Sequence, residues 1–201
     1  DAFFGGTAGT VTLGGAVTVH NMTFLSNGYT IAGGTLALAG TTPTINTGNG
    51  AVTQTISSAI AGNASLTKTG TGALSLTGTN SFTGDINVTS GSLRIGAIGN
   101  AALGDVGNAI NLSGGTGFSS TGTISNRTVN IPGGIASIGG AVGSLFYTGA
   151  GGLNVADGVA LTNNSNNYQG QSQFTTLPSW GGISNSFRSL AVLGVVRALG
   201  A

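Results

Sequence analysis

Asp85 and Asp105 are the side chains best spaced for chemistry. Each follows a glycine, and they lie 20 positions apart. In a coiled β architecture with turns of about 20 residues, two such acids would stack on adjacent coils. They would then approach the roughly 5 Å carboxylate separation of a retaining glycosidase. The competing reading makes Gly84-Asp85, Gly104-Asp105 and Asp157-Gly158 corner dipeptides, because Asp bonds its own backbone in turns. No arginine, histidine or aromatic platform accompanies the acids in sequence, which favours the corners. His20 is the only histidine and there is no cysteine, so His pairs, thiolate metal sites, disulfides and Cys nucleophiles are excluded. The chain contains no nucleophile elbow, no phosphate-binding glycine loop and no run of regularly spaced aspartates for calcium. No cofactor or metal is expected. Thr-x-Thr pairs beginning at Thr10, Thr67, Thr77 and Thr121 suggest an ice- or glycan-binding face, but their spacing is irregular.

The elements around these residues read as short strands. Apolar residues recur with period two at Val11/Leu13, Val17/Val19, Leu36/Leu38, Leu74/Leu76, Leu93/Ile95, Ile110/Leu112 and Val129/Ile131. Such alternation predicts half-buried strands and not helices. Clusters of Gly, Asn, Thr and Ser separate the pairs, as turns require. The recurrence of these pairs near 20 residues predicts a solenoid whose coils pair in parallel with those above and below. A β-sandwich or closed barrel is the alternative, but its longer strands would be weakened by this much glycine.

Composition agrees. The chain has 39 glycines in 201 residues, with 28 Thr, 20 Ser and 18 Asn, and only 5 Lys or Arg against 4 Asp. Stacked coils place equivalent side chains about 4.8 Å apart, so a repeated charge would repel itself, whereas hydroxyls and amides form ladders. Net charge is +1, and the cations Lys68, Arg94, Arg127, Arg188 and Arg197 are scattered singly. That leaves nucleic acid no electrostatic footprint. No apolar run approaches the roughly 18 residues of a membrane-spanning helix. Asp1 opens without the cationic and apolar regions of a signal peptide, and an interior piece of a longer protein is expected.

One stretch is specific. Residues 64–110 read ASLTKTGTGALSLTGTNSFTGDINVTSGSLRIGAIGNAALGDVGNAI. The pattern uses Leu66, Lys68, Gly70, Gly72, Leu74, Leu76, Gly78, Asn80, Phe82 and Gly84. It continues through Ile86, Val88, Gly91, Leu93, Ile95, Ala102, Leu103 and Gly104. It resembles the passenger-associated repeat of autotransporters, the large secreted proteins of Gram-negative bacteria. A weaker copy lies at 152–170, with Asn166, Tyr168 and Gly170 in the corresponding positions but without the preceding K-x-G-x-G. The resemblance implies a right-handed parallel β-helix of roughly eight to ten coils over residues 1–174. Leu74, Leu76, Phe82, Val88, Leu93 and Ile95 would form the core, with Asn80, Gly84 and Gly91 at corners. It further implies a non-catalytic stalk at the cell surface that supports adhesion, with host surface or matrix ligands. A C-terminal outer-membrane β-barrel of the same polypeptide, absent from this chain, would anchor it. A β-helix polysaccharide hydrolase or lyase and a glycan- or ice-binding solenoid are the alternatives.

After Phe174 the pattern fails. Residues 175–201 hold the only Trp and two of the cations, and Ser186–Leu199 reads as a short amphipathic helix,. This tail is expected to be either a cap over the last coil or the product of a shifted reading frame.

Overall fold

A computed structural model describes residues 1–50, 53–124, 126–142, 145–149, 152–155, 167–168 and 172–174. The weaker repeat copy lies partly, and the tail 175–201 wholly, outside the described residues, as does Asp157. In chain order the strands are β1 (Ala2–Phe4), β2 (Thr10–Val19), β3 (Asn21–Phe24), β4 (Thr30–Leu38), β5 (Thr44–Asn46) and β6 (Thr53–Ile56). Next come β7 (Ala59–Ala61), β8 (Leu66–Thr69), β9 (Ala73–Leu76), β10 (Ile86–Val88) and β11 (Ser92–Ile95). A 3-10 turn at Gly99–Leu103 precedes β12 (Ile110–Leu112), β13 (Gly117–Ile124), β14 (Arg127–Asn130) and β15 (Ile135–Val142). The last are β16 (Leu145–Gly149), β17 (Gly152–Val155), β18 (Asn167–Tyr168) and β19 (Ser172–Phe174).

The strands alternate between two long sheets. One runs β1-β3-β5-β8-β10-β12-β14-β16-β18. The other runs β19-β17-β15-β13-β11-β9-β6-β4-β2, with β7 beside β4. Every pairing is parallel, with level partners roughly 17 to 25 residues apart,. This is the all-β solenoid expected from the pattern. Among the described residues the single helical element is the 3-10 turn.

A short third side closes the coils from β2 to the 3-10 turn. The second halves of β2 and β4 pair there, followed by β7. Backbone bonds from Ser81 N to Ile60 O, from Thr83 N to Gly62 O and from Asp105 N to Phe82 O continue it. The core is a set of columns along the axis. Ile31, Ile56, Leu76 and Ile95 are level in one sheet, and Met22, Ile45, Lys68, Val88 and Leu112 in the other. All nine are buried, and each fully buried aliphatic contributes about 1.5–3 kcal/mol.

Of the Thr-x-Thr pairs only the one at Thr67 enters the polar row on this face. Asn21, Thr44, Thr67, Asn87, Asn111 and Asn130 stand level in a half-buried outer row. Asn111 Nδ2 donates to Asn87 Oδ1 at 2.8 Å. Because coil lengths vary, equal spacing in sequence does not mark level residues.

Candidate functional site

The register separates the two acids. Ile86 is level with Ile110, so Asp85 stands opposite Ala109, whose N–H donates to Asp85 Oδ1 at 2.8 Å across a separation of 24 residues. The 3-10 turn lengthens that coil beyond the 20-residue spacing of the acids, so the two carboxylates do not stand level. Asp105 Oδ1 accepts from Gly107 N at 2.8 Å. Asp105 therefore closes its own turn, as Asp does in corners, whereas Asp85 ties its coil to the next through the amide of Ala109. His20 is half exposed, with Nδ1 3.7 Å from Asp1 Oδ1. Among the described residues no three His, Cys, Asp or Glu gather as metal ligands.

The corner residues of the motif link coils. Asn80 accepts from Ile60 N at 2.7 Å below and donates to Ala102 O at 2.5 Å above. Phe82, Leu66, Leu74, Leu76, Val88, Leu93 and Leu103 are wholly buried and Ile95 nearly so. A Cβ on Gly84 would fall onto the backbone of Ala64 and Ser65, and one on Gly78 onto Ser57 and Ser58. Gly72 and Gly104 face backbone as closely.

The polar chemistry lies inside, on two buried cations. Lys68 is fully buried. Its Nζ donates to Thr47 Oγ1 at 2.8 Å, Thr69 O at 3.0 Å, Gly70 O at 2.7 Å and Ser90 O at 2.9 Å. Arg127 is 1% exposed, and its guanidinium donates to Asn100, Gly104, Asp105 and Asn108. Gln54 is a third buried polar group, accepting from Tyr29 N at 2.8 Å and donating to Ser26 O at 3.1 Å. The available signal was phase: Lys68 is two residues from Leu66, and Arg127 two from Val129. Both therefore point inward with them.

Burial lowers the pKa of Lys68 to about 8. Burial also lowers that of Arg127, opposed by the charge of Asp105. An unfolded chain titrates its lysine near 10.5, so between about pH 8 and pH 10.5 the unfolded state binds more protons than the fold,. Stability is expected to rise with pH through that window, by about 2 kcal/mol at pH 9.5 relative to pH 7.5. Urea midpoints at the two pH values check this, with Lys68→Met abolishing the rise. A flat or falling midpoint in the native chain would refute it.

The corner column, the buried lysine and the stacked leucines together cover residues 66–95, and that segment matches the family described as Passenger-associated-transport-repeat. Residues 66–95 are similar to that repeat. Over all 201 residues the chain is 50% identical to the Adhesin BmaC autotransporter of Brucella suis biovar 1 (strain 1330). The resemblance to autotransporter passengers is thus borne out. The chain spans 6% of that relative's length. No solved structure matches it.

Proposed function

We propose that this solenoid is a non-catalytic stalk segment of an autotransporter passenger that supports adhesion at the bacterial surface. The observation that carries this reading is identity along the whole chain to an autotransporter adhesin. A stack that adds one strand per coil to each sheet supports it, since length is gained without a new fold. Engagement of Asp85 with a backbone amide of the next coil and of Asp105 with one in its own turn favours a structural role over hydrolysis. In this reading a C-terminal outer-membrane barrel of the same polypeptide anchors the passenger, and the ligands are host surface or matrix molecules.

The test removes the codons for this segment, in frame, from the full-length gene in its source bacterium. Adhesion is expected to fall while antibody still detects the remaining passenger on the surface. Undiminished adhesion would overturn the stalk reading. Polysaccharide cleavage by the purified chain, lost in Asp85→Asn or Asp105→Asn, would replace it with the enzyme.

A further inference from the structure

The lysine of the repeat sits in a cage with no anion. Three glycines stacked at one corner, Gly48, Gly70 and Gly91, have φ of 67°, 76° and 68°, the left-handed region that favours glycine. The stack leaves no room for side chains. A Cβ on Gly70 would lie 2.7 Å from Gly48 O, and one on Gly91 2.6 Å from Gly70 O. Backbone in this conformation turns carbonyls toward the axis, where Thr69 O, Gly70 O and Ser90 O meet Thr47 Oγ1. The Thr47 hydroxyl shares its one proton between Thr69 O at 3.1 Å and Gly72 O at 3.0 Å, which leaves a lone pair to accept from Lys68,.

Three successive coils therefore supply four uncharged oxygens at 2.7–3.0 Å from one nitrogen. An ammonium has three protons and accepts nothing, so every neighbour in the cage is of the complementary kind. Asp1, Asp85 and Asp105 are hydrogen-bonded elsewhere, to Asn21, Ala109 and Gly107. Carbonyl oxygens arranged in this way replace the hydration shell of potassium in selectivity filters. We propose that this corner is a site for a dehydrated monovalent cation, and that the Lys68 ammonium is its tethered occupant. The tether matters because burial disfavours the charged form, as the lowered pKa of Lys68 shows, so attachment and not the cage alone keeps the ammonium there. Attachment at β8, level with Ile45 and Val88, supplies the ion at a high effective concentration. Free ammonium or potassium would fill the cage once the side chain is removed.

Two variants of the 201-residue chain separate this from plain packing. Lys68→Met keeps the stem and fills the space, whereas Lys68→Ala opens it. Folding equilibria are measured by urea titration in about 1 M potassium, ammonium or tetramethylammonium chloride, with the last ion too large for the cage. Lys68→Ala is expected to gain about tenfold in folding constant in the first two salts over the third, as a site filled to ten times its dissociation constant would give. The native chain and Lys68→Met set the general salt effect and are expected to show no such selectivity. Equal gains in Lys68→Ala and Lys68→Met, or native stability in Lys68→Met, would overturn the site.

Should Lys68→Ala fail to fold in every salt, the native chain decides. Lys68 is its single lysine, so ¹⁵N-lysine labelling gives one Nζ signal. Slowly exchanging ammonium protons at pH 7 are expected. Exchange as fast as that of a solvated lysine would overturn the proposal.

Discussion

Leu76→Asp is expected to unfold the coils around β9 and leave those at the N-terminal end folded. Leu76 is wholly buried, level with Ile56 on one side and Ile95 on the other. The substitution loses the roughly 1.5–3 kcal/mol of leucine burial and places a carboxylate where its neighbours are aliphatic. An unpaired charge in that position costs several kcal/mol more. The sum exceeds about 5 kcal/mol, comparable with the whole stability of many domains. A solenoid couples mainly neighbouring repeats, so the damage should spread over a few coils. Hydrogen exchange reads this directly. The amides of Thr77 and Gly96, which donate to Ile56 O and Leu76 O, should lose protection, while Leu25 N, bonded to Phe4 O, keeps it. Unchanged protection at Thr77 and Gly96, with unchanged protease resistance, would remove Leu76 from the core.

The period-two pattern made much of this core legible, because a strand with one face inside must alternate. Leu74/Leu76, Leu93/Ile95, Ile110/Leu112 and Val129/Ile131 are all buried in their predicted phase. Val17 is not: it is 42% exposed, lying on β2, which has a neighbouring strand on one side only. Alternation specifies which face a residue takes; on an edge strand that face is open at Val17 and covered at Val19, which is 5% exposed.

Spacing was the weaker signal. The 20 residues between Asp85 and Asp105 match an average coil, but the coil that separates them includes the 3-10 turn at Gly99–Leu103. Level residues are set by hydrogen-bonded register, which insertions of this kind shift without disturbing the strands. The outer row of Asn21, Thr44, Thr67, Asn87, Asn111 and Asn130 escaped notice for the same reason. It also mixes amides with hydroxyls, so no single residue type repeats along it.

The burial of two cations is legible in strand phase and not in charge. Lys68 and Arg127 occupy inward positions of β8 and β14 because the corners beside them direct carbonyls into the core. A buried carbonyl without a donor costs about 1–3 kcal/mol, and an aliphatic side chain at either position supplies no donor. The fold therefore admits a cation where hydrophobic periodicity alone predicts leucine or valine. The K-x-G-x-G portion of the repeat acquires a physical meaning from this. The glycines create the inward carbonyls, and the lysine satisfies them.

Arg127 makes the same argument three strands along the sheet, at the 3-10 insertion, and its replacement by methionine is expected to cost about 3 kcal/mol. Its Nη1 reaches Asp105 O at 2.6 Å and Asn108 O at 3.3 Å, and its Nη2 reaches Gly104 O at 2.8 Å and Asn100 O at 3.1 Å. Nε adds Asn100 Oδ1 at 3.2 Å. Methionine fills part of the volume and returns none of these donors. Water can reach the exposed Asp105 and half-exposed Gly104, offsetting part of the loss, which keeps the cost below the full desolvation of every acceptor. Lysine should recover only a minor share, because three donors on one nitrogen cannot reproduce a planar fork that reaches both ends of the loop. The loss should concentrate in the 3-10 insertion. Asn108 Nδ2 also holds Phe82 O and Leu103 O, each at 3.0 Å; loosening Asn108 therefore frees the coil below as well. Exchange at Asp105 N and Asn108 N should accelerate before that at Thr67 N, which donates to Pro43 O two coils away. Urea midpoints for Met and Lys variants near that of the native chain would show that solvent alone can satisfy the insertion. A cation at this corner would then be dispensable, and the lengthened coil would hold its shape through Asn108 and the 3-10 turn alone.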